Sequence, residues 1–386
     1  MIPAWKLNAV EMLGLASLGV LIGGWLKRKL PLLDRLNIPV PIAGGMVYAV
    51  AALLLRGRVV NFEADVVLRD LLMVAFMTTI GLSARMQLIR EGGIQVIWLL
   101  GVASLGAVLQ NLLGMGLARM LSVDPRLGIL AGSVSLAGGP ATALAFGGTF
   151  EKMGVPGATT VAFASATFGI TVAGLIGGYI GGWLIRRHRL APGAQIHARP
   201  ATQAKSGSLL QTVVVIGIAM GIGSLVSAEL ERLGLILPSY IGAMVVAAVI
   251  RNCGFVRIEQ PEVDSLGRIA LYLFIVMALV TLRLWELAHL ALPMLVILTA
   301  QVAFCWLMCI TLSFRTMGRD YDSAVTAAGF CGFMLGITAN AIACMEELVE
   351  KYGPAPRAFL VVPVVGAFLI DFTNSLIITA MANLLR

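Results

Sequence analysis

The stretch Ser135–Gly148, SLAGGPATALAFGG, decides how this chain is read. Glycine and proline are the poorest residues for a helix interior, and alanine fills little core volume. Yet the stretch lies inside an apolar half that otherwise reads as one helix after another. A break there interrupts the backbone at a depth where regular structure is expected, so the first question is whether the chain does it twice.

Composition sets the surroundings of the break. Hydrophobic residues make up 59% of the 386 residues and charged ones 12%, with a mean hydropathy of +0.93. A soluble chain of this length could not hide that much apolar surface. Several uncharged segments reach the roughly 18 residues that cross a bilayer as a helix. The expected class is an all-α polytopic membrane protein. The net charge of +8 then belongs to short loops between spans and not to a nucleic-acid surface. Val10–Leu26 is followed by Lys27-Arg28-Lys29, not by a small-residue cleavage site, so the first span itself is expected to direct insertion. The five cysteines (Cys253, Cys305, Cys309, Cys331, Cys344) show no CxxC or Cys/His spacing and read as packing residues. Three histidines leave a metal site almost no ligands.

Apolar runs fall near 9–26, 38–55, 68–82, 93–118 and 157–185, with a broken run at 126–150. The polar, basic segment 186–208 separates them from a second series near 209–229, 236–250, 267–282, 290–313 and 358–384, with a broken run at 322–345. The two series align at a nearly fixed offset. Asp124–Gly138 meets Asp322–Gly336 at 198, and EKMG at 151–154 meets EKYG at 350–353 at 199. The break therefore occurs twice. This predicts a five-span repeat over 1–185, a cytoplasmic linker over 186–208 and a second repeat over 209–386.

With the amino terminus outside, 18 of the 28 basic residues fall in inside loops, which the positive-inside rule favours. Both termini are then outside. Five is odd, so the repeats are expected to be inverted, as in secondary transporters. Irregular backbone survives at membrane depth only when buried in protein or lining a wet cavity. Each broken run is therefore expected to be a re-entrant hairpin, its tip offering N–H groups to anions and carbonyls to a cation.

Few polar residues lie deep in the spans. Asp371, in FLIDFTNS, is near the middle of the last one, where an ionisable group is expensive and usually functional. It reads as a ligand for a cation or for a substrate ammonium, against the alternative of a packing carboxyl. Asn374 shares its helix face and Thr373 does not. Gln110 and Asn111, and Gln301 in the second series, either bridge helices or serve a site. Ser133, Ser135, Thr142, Thr338 and Asn340 supply hydroxyl or amide oxygens in the broken runs. There is no Walker-type GxxxxGK[ST] for an ATP-driven pump, no assembled hydrolytic triad and no potassium-channel filter motif. An enzyme is not expected. A channel or receptor is the competing class.

In PIAGGMVYAV, LAGSVSLAGG, ATFGITVAGLIGG, MGRDYDSAVTAAG and AFLVVPVVGAFLIDFTNSLII the chain resembles the bacterial sodium/glutamate symporter family, and the likeness runs over nearly its whole length. The resemblance implies a homodimeric, sodium-coupled importer of L-glutamate in the inner membrane lipid bilayer. It also implies alternating access by an elevator-like displacement, with Na⁺ as coupling ion and no other cofactor. The family's first-loop pattern Ser-Gly-Gly-His-Gly-Thr falls on Ala137–Thr142, where Gly138, Gly139 and Thr142 match. Its second, Gly-Ala-Thr-Pro-Thr-Ala, falls on Gly336–Ala341, where Gly336 and Thr338 match and Asn340 replaces a threonine. Pro140 and Phe330 stand where the family has histidines. Gln110, Asn111, Asp371 and Asn374 match. The implied substrate site is Gly138, Gly139, Thr142, Gly336, Thr338, Asn340, Asp371 and Asn374. The expected sodium ligands are Asp371, Asn374, Ser133, Ser135, Gln110 and Asn111. The alternative is a sodium- or proton-coupled carrier of another organic anion.

Overall fold

The structure, a computed structural model, describes residues 4–35, 38–55, 61–192, 209–232, 239–254, 258–287 and 290–385. The greater part of the linker, with Arg199 and Lys205, lies outside the described residues, as does Arg257.

The chain is helical. In order, α1 spans Ala9–Lys29, α2 Val40–Leu55, α3 Val67–Ser83, α4 Met86–Met120, α5 Pro125–Ile129, α6 Gly139–Lys152 and α7 Ala158–His188. The second series is α8 Leu209–Arg232, α9 Ser239–Cys253, α10 Gln260–Val280, α11 Ala291–Met308, α12 Tyr321–Leu335, α13 Thr338–Tyr352, α14 Pro356–Val364 and α15 Ile370–Leu384. The start of α1 shows why these segments hold. The Asn8 side chain accepts from the backbone N–H of Val10 and of Glu11, while Glu11 accepts from Asn8, a closed capping box. Lys27, Arg28 and Lys29 sit in its last turn, where the helix dipole favours cations.

Among the described residues, seven helical segments are long and apolar enough to span a bilayer: Ala9–Lys29, Gly93–Met120, Ala158–His188, Leu209–Arg232, Gln260–Val280, Ala291–Thr316 and Pro356–Leu384. The expected second spans of the two series are shorter apolar helices, Val40–Leu55 and Tyr240–Cys253. The expected third, α3, has 17 residues and carries the Arg69–Asp70 ion pair near its start. The all-helical expectation also needs one addition. Ala4–Leu7 and Asn61–Ala64 pair as short parallel strands β1 and β2, bridged by a crossover through α1 and α2.

The described residues gather into two compact units that cut across the two sequence halves. One holds Met1–Ser83, Leu144–Thr160 and Lys205–Ala291; the other holds Ala84–Ala143, Val161–Ala204 and Leu292–Arg386. Each unit thus draws corresponding elements from both series.

In the first unit, α1 packs on α2 and α8 on α9. Both contacts depend on bare backbone. A Cβ on Gly44 would lie 1.8 Å from the carbonyl oxygen of Gly19, and one on Gly242 would lie 2.4 Å from that of Gly223. Gly44 and Gly242 are 198 positions apart, the offset of the repeat. Small residues let helices approach closely where no water drives them together. In the same unit Tyr240 meets Phe146 edge to face at 5.4 Å, with its hydroxyl 3.0 Å from that of Thr149. The second unit holds the broken runs and is described with its site.

Candidate functional site

In the second unit α4 carries Gln110 and Asn111, both fully buried. The chain next enters α5 through Asp124, whose carboxylate accepts from the N–H of Arg126, with Pro125 at the first helical position. The Arg126 side chain bonded to Asp124 holds that carboxyl below the usual range. After α5 the helix widens into a π turn over Leu130–Val134 and breaks at Gly132, whose backbone leaves helical angles at φ −99° and ψ −132°.

Two asparagines from other helices close this break. The N–H of Ser133 donates to Oδ1 of Asn111 at 2.9 Å, and Nδ2 of Asn374 donates to the carbonyl of Ser133 at 2.9 Å. Backbone groups freed at membrane depth need such partners. The clamp consumes only part of the polar capacity. Oγ of Ser133 and Oδ1 of Asn374 are buried with no hydrogen-bond partner. A Cβ on Gly132 would lie 2.8 Å from Oδ1 of Asn111, so the glycine admits the clamp.

The first break ends in Gly138–Gly139. The N–H of Gly138 donates to the carbonyl of Ser133 at 2.9 Å, and Gly139 has φ +65°, a conformation glycine adopts without steric cost. Thr142 is buried against Gly138. The second break lies between α12 and α13, where Gly336 (φ −147°, ψ −118°) leaves helical angles and Ile337 (φ −136°, ψ 166°) is extended. The breaks meet: Gly139 faces Gly336 and Ile337. Each is followed by the start of a helix, α6 and α13, whose first-turn N–H groups and positive dipole ends are suited to an anion.

The last span is itself irregular. Pro363 sits inside α14, and a π turn over Val365–Leu369 joins α14 to α15. The carbonyl of Gly366, in that turn, accepts from Oγ1 of Thr338 at 2.6 Å. Nδ2 of Asn340 donates to the carbonyl of Ile170 at 2.9 Å and leaves Oδ1 unpaired. Asp371 follows within the first turn of α15 and is half-buried. No donor or cation among the described residues bonds its carboxylate. Its own carbonyl accepts from Ser375.

The residues expected from sequence therefore sort by what they touch. Asn111, Ser133 and Asn374 are directly bonded, and Asp371 stands three residues before Asn374 on the same helix. Gly138, Gly139 and Thr142 belong to one break, and Gly336, Thr338 and Asn340 to the other. Ser135 is engaged elsewhere: its hydroxyl donates to the carbonyl of Ala162 at 2.7 Å and is also bonded to that of Leu130. Gln110 takes part in a separate tie, donating to the carbonyl of Met334 at 3.1 Å while Gln301 donates to the carbonyl of Gln110 at 2.7 Å. The amide oxygens of Gln110 and Gln301 are left over. Sequence reasoning missed Gly132 and Gly366. The proline at 363 is the signal that could have found the second.

Most of these leftover atoms are hard oxygens, the donors that suit a small monovalent or divalent cation rather than a soft metal. Fold and site together define a multi-span helical membrane protein with two facing backbone breaks and, in its last span, a carboxylate unpaired among the described residues. The family model for sodium/glutamate symporters matches residues 5–354. The chain is 41% identical over 392 residues to the sodium/glutamate symporter of Escherichia coli strain K12, covering 97% of each chain. It is 35% identical over 404 residues to that of Haemophilus influenzae, covering 99% of this chain and all of the relative. The chain belongs to the sodium/glutamate symporter family.

Proposed function

We propose that the chain is a secondary transporter that carries L-glutamate into the cell together with Na⁺, across the bacterial inner membrane, without enzymatic chemistry of its own. The observations that carry this reading are the Asp371 carboxylate, unpaired among the described residues and three residues before Asn374 on the same helix, and the buried, unpartnered oxygens of Asn374 and Ser133. Buried polar oxygens left without partners cost free energy, and a lone carboxylate in a span costs more. A bound Na⁺ relieves both. The facing N-termini of α6 and α13 suit the carboxylates of an anionic substrate. Names of the relatives supply the substrate, glutamate.

The two series are read as inverted five-span repeats, with 126–150 and 322–345 as re-entrant hairpins and both termini outside. The site residues lie in one compact unit, which supports alternating access by displacement of that unit as a body, and a homodimer is the expected assembly. A carrier of another organic anion is the less favoured reading.

Uptake of labelled glutamate into proteoliposomes separates these readings. A sodium gradient is expected to drive accumulation above equilibrium, whereas a proton gradient alone gives none. Equal driving by protons, or passive flux without counterflow, would reject sodium symport.

A further inference from the structure

Three of the five cysteines converge, although their spacing along the chain gives no ligand motif. Cys305 and Cys309 stand four residues apart on α11 and the π turn that continues it, and Cys331 lies on α12. All three are buried, and their sulfurs lie within 4.8 Å of one another. Three sulfurs bound to one centre at about 2.3 Å span edges of roughly 3.5 to 4 Å, so a shift of under an ångström turns this triangle into a ligand set.

Charge selects what the triangle can hold. Residues Ala291–Met308 include no charged side chain, and Tyr321–Leu335 has only Asp322, in its first turn. A tris-thiolate of Zn²⁺ or Cu⁺ carries net negative charge, and neither helix offers a cation to balance it at this depth. A trivalent centre bound to three thiolates is neutral. The entering species, a trihydroxide such as arsenous acid, is also small and uncharged.

We propose that Cys305, Cys309 and Cys331 form a capture site for trivalent thiophilic centres of the arsenite class, separate from the transport site. Three As–O bonds break and three As–S bonds form. Each thiol proton leaves with a hydroxide as water, three waters in all, and arsenic stays trivalent. The product staples α11 to α12, the helix that ends at the Gly336 break, so capture is expected to arrest uptake.

The test uses the purified full-length protein. After exposure to arsenite and desalting, one arsenic per chain is expected, with three sulfur neighbours in its X-ray absorption spectrum. Cys253→Ser and Cys344→Ser should bind as the parent does, whereas Cys331→Ser should lose arsenite at least about tenfold. Cys331→Ser should still take phenylarsine oxide, which needs only two thiols, through Cys305 and Cys309, and a thermal unfolding transition like the parent's shows that the variant is folded. If it binds neither, the parent's stoichiometry and sulfur count decide. Arsenic bound only after unfolding, arsenic retained in full by Cys331→Ser, or Cd²⁺ held at the same thiols as tightly as arsenite would each overturn the proposal.

Discussion

Gly139 and Gly336 face each other across the two breaks: a Cβ on Gly139 would stand 3.5 Å from the carbonyl oxygen of Gly336 and 3.0 Å from Cγ2 of Ile337. Gly139 also has φ +65°, where a side chain costs about 1 to 2 kcal/mol by itself. Gly139→Ala is therefore expected to lower the melting temperature by several degrees and to slow uptake more than its stability loss explains. Thermal unfolding in detergent and initial uptake rates measure the two effects. A variant equal to the parent in both would mean that the breaks need no close approach.

The bond from Thr338 to the carbonyl of Gly366 holds the second break to the widened turn of the last span. Thr338→Val keeps the shape and removes the donor, with an expected cost of about 1 to 3 kcal/mol for the stranded carbonyl. Thr338→Ser should restore most of the stability and of the uptake. A serine variant no better than the valine variant would assign the position to methyl packing.

Ser133 offers a sharper separation of roles, because its hydroxyl is buried and unpaired. Removing an unsatisfied hydroxyl leaves folding unchanged or slightly improved. Ser133→Ala is thus expected to melt at or above the parent's temperature while needing several times more sodium for half-maximal uptake. Unaltered sodium dependence would take the hydroxyl out of the cation site.

Acid sensitivity should arise at the loop before α12. Burial raises the pKa of Asp320, but hydrogen bonds from Arg357 and Ser323 outweigh it, so its carboxyl sits below the ordinary 3.8. A depressed folded value means that the pair stabilises the fold at pH above the unfolded pKa. That contribution is lost as pH falls through the folded value, below about 3.8. Asp320 is half exposed, so the effect is small. Melting temperatures taken down to about pH 3 should fall less steeply in Asp320→Asn than in the parent. Parallel slopes would contradict the linkage.

How far the sequence could be read depends on the range of each interaction. Gly138–Gly139 and Gly336 were visible because glycine and proline interrupt an apolar pattern locally. Asp371 was visible because one carboxylate in a long uncharged run is conspicuous. Ser135 looked the same as Ser133, and only the tertiary fold shows that its hydroxyl hydrogen goes to the carbonyl of Ala162. The break at Gly132 left no signal, since it depends on Asn111 and Asn374, which bond the neighbouring Ser133 from 22 and 241 residues away in sequence. The same holds for Cys331, which joins Cys305 and Cys309 from another helix. The pairing of Ala4–Leu7 with Asn61–Ala64 is equally long-range and too short to register as periodicity.

Asp371 is where the coupling mechanism is most exposed to test. Its carboxylate is bonded to no donor among the described residues, and no Lys or Arg lies deep in the last span to neutralise it. A charge so placed must find a mobile partner, either Na⁺ or the ammonium of the substrate. Asp371→Asn keeps the size and one oxygen but removes the charge, so the protein should fold and assemble as before. Sodium-driven accumulation should fall by at least about tenfold, the equivalent of roughly 1.4 kcal/mol of lost interaction. The partners then separate by titration. A raised sodium requirement with unchanged ranking of ligands identifies the cation, whereas lost discrimination between ligands with and without an amine identifies the ammonium. Accumulation at the parent's rate and sodium dependence would remove Asp371 from the mechanism.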